Sequence, residues 1–196
     1  MDFLNTRSGI AERLRTSHEA LAALLAGIGD AGYERKPESG WSIAENVEHL
    51  IVVEGRVLAG VKRMIAKGAG GPANPLSDET VWRRAVGETG KGEAPAVVAP
   101  SGQWPNRSAA MAELAARRQA TIEYALTTQD PLRACAIPMP LGEIDGYQCL
   151  IMLAGHLERH TRQIQALLYD ASLPIARSRW VRRSWPGCCC RFGSCR

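Results

Sequence analysis

The sequence predicts an all-α protein, a four-helix bundle, on three observations. Four long segments space their apolar side chains as helices do. Two of these segments open on capping boxes. No set of segments alternates apolar and polar residues as the strands of a sheet would.

The first segment, Phe3 to Ile28, carries Ile10, Leu14, Leu21, Leu25 and Ile28 at helical spacing with charges between them. A turn through Gly29, Gly32 and Pro37 follows. The second helix starts near Ile43, because Ser42 and Glu45 stand three apart and can each satisfy an orphaned backbone amide. It runs to about Lys67 and is apolar on most sides at Val47, Leu50, Ile51, Val52 and Val53, as a helix enclosed by neighbours should be. From Gly68 to Trp104 the chain is rich in Gly and Pro, with one short helix expected around Ser77 to Val86. This is a long crossover between helices 2 and 3, and long ordered connections are often functional lids.

The third helix is capped by Asn106 or Ser108 and ends before Pro131. Its inner side is read as Met111, Leu114, Ala115, Ile122 and Leu126, with Arg117 and Arg118 outside. Leu132 to Ile144 holds two prolines and is expected to be extended or irregular. Asp145 and Gln148 then form a second capping box for a fourth helix reaching about Ala171, and Pro174 blocks its continuation. No repeat of 20 to 50 residues is visible.

A chain of 196 residues with 45% hydrophobic content fits one domain with a core large enough to stand without disulfides. The expected domain is residues 1–175, followed by a basic, Cys-rich tail over 176–196. The formal charge of +4 belongs to that tail, since taking its six arginines from the 24 basic residues leaves 18 against 20 acidic ones. A folded nucleic-acid-binding face is therefore not expected. Four of the six cysteines, Cys188, Cys189, Cys190 and Cys195, also sit in the tail. Three consecutive thiols cannot all point to one ion without strain, so no metal site is read there. The longest apolar stretch, Leu21 to Ile28, is far too short to cross a bilayer, and the N-terminus lacks a signal-peptide core. A soluble, cytoplasmic protein is expected.

The chemistry lies in the histidines. Of the four in the chain, His156 and His160 are four apart on the fourth helix, so they project from one face about 5–6 Å apart. That face runs through Cys149, Met152 or Leu153, His156, His160, Gln163 and Leu167, which turns the imidazoles toward the bundle interior. His49 lies within the apolar second helix, where it needs a partner, and antiparallel packing can bring it opposite the other two. Three histidines would leave coordination positions open for water or substrate, as catalytic sites do. The residues also admit a plainer reading, in which His49 is a core histidine bonded to a carbonyl and the other two form a pair on the helix surface.

Trp41-Ser42-Ile43-Ala44-Glu45-Asn46-Val47-Glu48-His49-Leu50, followed by Glu54, resembles the W-S-x-x-E-x-x-x-H-L signature of DinB-like proteins. Gly155-His156-Leu157-Glu158-Arg159-His160-Thr161-Arg162-Gln163-Ile164 is similar to the family's closing H-x-x-R-H-x-x-Q-I motif, and Pro100-Ser101-Gly102-Gln103-Trp104 resembles a further family feature. The matches keep family order over about residues 1 to 175. The resemblance implies an up-down-down-up bundle of the DinB/YfiT-like type, often a homodimer, with a divalent ion such as nickel or zinc held by His49, His156 and His160. It further implies a small-molecule substrate, since relatives include thiol S-transferases that use low-molecular-weight thiols such as bacillithiol, and mycothiol-dependent isomerases. Two functions follow as expectations: a divalent-metal-dependent thiol S-transferase or hydrolase, or a non-enzymatic metal or small-ligand binding protein of the stress response. DNA binding through the arginine tail is a weaker third.

Other polar residues have simpler roles. Glu45 is explained by its capping box, and Glu48 and Glu158 adjoin ligands in sequence but not in direction. Glu54 and Gln163 could orient ligands, although a salt bridge or helix-face contact explains each as well. His18 falls in the apolar stripe of the first helix and reads as a satisfied core histidine ahead of a fourth ligand. Cys149 reads as a small apolar filler.

Overall fold

The computed structural model describes residues 2–68, 70–88 and 94–169. Helix α1 (Arg7–Ala26) begins later than the spacing suggests, because Asp2–Asn5 forms a separate 3-10 turn and the Thr6 side chain caps α1 by accepting the Gly9 amide. A short α2 (Asp30–Glu34) leads to α3 (Ile43–Lys67). There the Ser42 hydroxyl accepts the Glu45 amide at 3.1 Å and the Glu45 carboxylate accepts the Ser42 amide at 2.7 Å, an arrangement that contributes about 1 kcal/mol. The expected short helix is α4 (Asp78–Ala85), capped by Ser77. Helix α5 (Arg107–Thr127) is capped by Asn106, and α6 (Gly146–Tyr169) opens on the Asp145–Gln148 box. The end expected near Ala171 and the tail both lie outside the described residues.

Helix α1 packs against α5 and α6, and α3 packs against the same two, so α1 and α3 face each other across the diagonal of a four-helix bundle. One cluster of apolar side chains centres on Leu14, Val57, Val61, Ile122 and Leu150, and a second on Leu21, Leu25, Leu50, Leu114 and Ile164. Helix α4 covers α6 from outside. Its approach depends on Gly155, where a Cβ would stand 2.9 Å from the Ala85 Cβ and 3.2 Å from Val86, so only glycine lets the crossover seat beside the next residue, His156.

One segment is extended as expected but more regular, and two side chains depart from the sequence reading. The segment before α6 is a small antiparallel hairpin, β1 (Ala136–Met139) with β2 (Gly142–Asp145), in register Ile137↔Ile144. With only two strands both are edges, which is why Pro138 is tolerated. Leu126 points outward at 48% exposed, whereas Arg118 points inward at 1%. Arg118 stands four residues from both Leu114 and Ile122, so helical geometry places it on the inner stripe despite its charge. Among the described residues no helix is long and apolar enough to cross a membrane.

Candidate metal centre

Each histidine is delivered by a helix, and two of the three are aimed by a second contact. His49 sits in the second turn of α3, and its ring Nδ1 is 2.7 Å from the carbonyl of Val98 in the crossover. A carbonyl only accepts, so Nδ1 carries the proton and Nε2 is left bare. His160 Nδ1 lies 2.8 Å from Asn46 Oδ1. The Asn46 amide nitrogen donates to the Ser42 carbonyl at 2.8 Å, which fixes its oxygen toward His160 and again leaves Nε2 bare. His156 Nε2 is 3.2 Å from the Nε2 of His49 and 3.2 Å from that of His160.

The three nitrogens lie within 4.8 Å of one another. Imidazole nitrogens around one zinc-sized ion at tetrahedral angles would be about 3.3–3.4 Å apart, so the spacing fits a shared cation. A proton on His156 Nε2 could be given in line to only one of its two neighbours, whereas one ion accepts all three lone pairs. The donors are neutral nitrogens that suit zinc, nickel, copper or iron, and no fourth His, Cys or carboxylate joins them among the described residues.

Burial lowers the pKa of all three rings. For His49 the Val98 carbonyl opposes this and Arg159 adds to it. His156 is held well below the usual value by burial and then by His160 and His49. His160 falls to about 3, through burial, then His49, then Arg159. At neutral pH the rings therefore keep their lone pairs for a metal. The sign for stability follows. Each folded pKa lies below the unfolded value near 6.5, so below that pH the unfolded chain takes up protons first and stability falls as pH falls. Metal-free protein should lose up to about 2 kcal/mol between pH 7 and pH 5 from His160. Urea unfolding at the two pH values measures it, and an equal midpoint at both would contradict the burial argument.

The sequence reading missed three contributors. Asn46 and the Val98 carbonyl aim two rings, and Glu48 holds the segment that follows Val98. The buried Glu48 carboxylate accepts the backbone amides of Ser101 at 2.8 Å and of Gly102 and Gln103 at 3.0 Å each. Burial would raise its pKa, but those amides hold it below the usual value. Asn46 stands three residues before His49, a helical neighbour that could have been singled out. The Val98 and Glu48 contacts span 49 or more residues and left no local signal. Trp41 lines the centre too, its ring centroid 4.8 Å from that of His49 and stacked at 6.4 Å on His160.

The secondary candidates stand apart. Glu45 serves its cap and pairs with Lys36 at 2.5 Å. Glu158 pairs with Arg13 at 2.5 Å. Glu54 forms a buried ion pair with Arg118 at 2.9 Å. Gln163 is exposed and orients no ligand, because its position three past His160 has already turned off the inner face. His18 is half-buried and lies outside the cluster, and its Nδ1 finds no protein partner, so the expectation of a satisfied core histidine is only half met. Cys149 is buried and its thiol is pushed strongly up by burial, which suits an inert filler. A wider cleft of about 750 Å³ opens near Leu4, Asp78, Arg133 and Tyr147 but contains no histidine. Its Arg133 is already paired with Asp78 and Asp145, so the chemistry is assigned to the three imidazoles.

The family model of the DinB superfamily matches residues 13–164, a span that includes all three histidines. No curated protein and no solved structure matches the chain.

Proposed function

Because the chain belongs to the DinB superfamily, we infer from its converging histidines that it is a divalent-metal-dependent enzyme acting on a small molecule, with thiol S-transfer ahead of hydrolysis. One observation carries this reading: three neutral imidazole nitrogens, two of them with tautomers fixed by Val98 and Asn46, meet at one point with no fourth His, Cys or carboxylate among the described residues, which leaves a coordination position for an outside molecule. His49, His156 and His160 would hold the ion, nickel or zinc. Bound there, it would supply Lewis acidity that lowers the pKa of a small thiol or of water.

The chain's own residues do the rest. Asn46 and the Val98 carbonyl keep Nε2 of two rings turned inward. Trp41 packs over His49 and His160 and keeps water from that side. No carboxylate is available as a general base among the described residues near the rings, since Glu45, Glu48, Glu54 and Glu158 are each committed to other partners. That favours a thiol, whose proton leaves near neutral pH, over water, which needs more help. In the transfer the sulfur forms a bond to an electrophilic carbon, the leaving group departs with its electron pair, and the thiol proton passes to solvent.

The test is a panel of small thiols offered with an alkyl halide such as monobromobimane, scored for turnover above the uncatalysed rate. Thiol-dependent turnover that a chelator abolishes is expected. Bound metal without turnover of any thiol or of hydrolysable esters would leave the other reading, a metal or small-ligand binding protein. A homodimer in a reducing, cytoplasmic setting belongs to the same proposal. The free and buried Cys135 and Cys149 suit that setting, and light scattering at twice the chain mass would support the dimer.

A further inference from the structure

Beside the histidines stands Arg159, a cation for which the described residues supply no anion. Arg159 lies on α6 three residues after His156 and one before His160, so its side chain rises at the rim of the centre. It is half-buried, and half-burial of a guanidinium is unfavourable unless something opposite in charge, or a carbonyl, meets it. The other half-buried arginines have such partners: Arg7 has the Thr128 carbonyl, Arg13 Glu158, Arg84 the Leu141 carbonyl, Arg107 the Ile28 carbonyl and Arg117 Glu113. Among the described residues Arg159 has neither an ion pair nor a hydrogen bond.

Its stem is nonetheless placed. Arg159 crosses the end of α4 at Gly87, where a Cβ would come within 3.3 Å of Arg159 Cδ and 3.5 Å of Nε, and where φ is +83°. Glycine there leaves the floor open for the side chain to lie flat. His156, one helical turn before Arg159, is the partly exposed member of the three.

We propose that Arg159 binds an anionic group, in the simplest case a carboxylate, on the small molecule that enters the metal centre. A guanidinium offers two parallel N–H donors to a carboxylate, and half-burial makes the attraction stronger than on an open surface. A molecule whose reactive atom sits at the three Nε2 atoms would carry its acid group a few bonds away, toward α4. This deepens the metal-enzyme reading by naming the charge of the substrate, and it rests on that reading for the place where the reactive atom sits.

Isothermal titration of the purified protein with mercaptoacetate and with 2-mercaptoethanol tests it, with metal content measured on the same sample. Mercaptoacetate should bind about tenfold more tightly than 2-mercaptoethanol. Arg159→Gln should erase that preference while leaving metal content and the affinity for 2-mercaptoethanol unchanged, and Arg159→Lys should keep part of it. Equal affinities in the unaltered protein, no binding of either thiol, or a preference that survives in Arg159→Gln would overturn the anchor and leave the metal centre standing. An Arg159-dependent preference in protein that holds no metal would do the reverse.

Discussion

Arg118→Met should destabilise the protein by about 3–5 kcal/mol, and adding Glu54→Leu to it should restore most of that loss. Both side chains are 2% exposed and meet at 2.9 Å in the bundle interior. Burial pushes the Glu54 carboxyl up, against the neighbouring Arg118 charge, and it pushes Arg118 down. Taking either partner away strands an uncompensated charge away from water, whereas taking both leaves an apolar gap that neighbours can close. The pair is not ideally satisfied, since Glu54 Oε1 and Arg118 Nε and Nη1 find no protein partner among the described residues. The remaining Arg118 bond, to the Leu153 carbonyl at 3.3 Å, is long. The double variant should therefore come close to the parent. Denaturant melts of both single variants and the double variant measure the coupling. Additive losses would show that the two charges do not depend on each other.

Asn46→Ala should weaken metal binding about 10- to 100-fold with all three histidines intact. The Asn46 oxygen accepts from His160 Nδ1, and without it the ring is free to rotate and to place its proton on the nitrogen the metal needs. Asn46 also donates to the Ser42 carbonyl within the first turn of α3, so some stability is lost as well. Competition against a chromophoric chelator at a temperature well below the melt separates the two effects. Unchanged affinity would mean that packing against Trp41, which stacks on His160, already aims the ring.

Much of this molecule was legible in the sequence, for local reasons. The Ser42–Glu45 and Asp145–Gln148 boxes start two helices where they were expected, because a cap is written within four residues. The spacing of His156 and His160 put both on one side of α6, and His49 in an apolar helix had to face inward to the same space. What stayed hidden depends on partners distant in the chain. Arg118 read as a surface charge because Glu54, its reason for being inside, is on another helix. Glu48 read as pointing elsewhere, and it does, but toward the Ser101–Gln103 amides, which fold back over α3. Gln163 read as an inward residue because three- and four-residue steps both look helical, and the drift from His160 to Gln163 is enough to reach solvent. The hairpin before α6 is two strands of four residues around Pro140 and Leu141, too short for alternation to signal.

The central claim is that the Nε2 atoms of His49, His156 and His160 hold one divalent ion, and elemental analysis tests it most directly. The protein would be loaded with excess nickel or zinc, dialysed, and measured beside His156→Ala, which removes the nitrogen standing 3.2 Å from both of the others. About one ion per chain is expected in the unaltered protein and close to none in the variant. An unaltered protein that comes through dialysis without metal, or a His156→Ala protein that keeps a full equivalent, would contradict it.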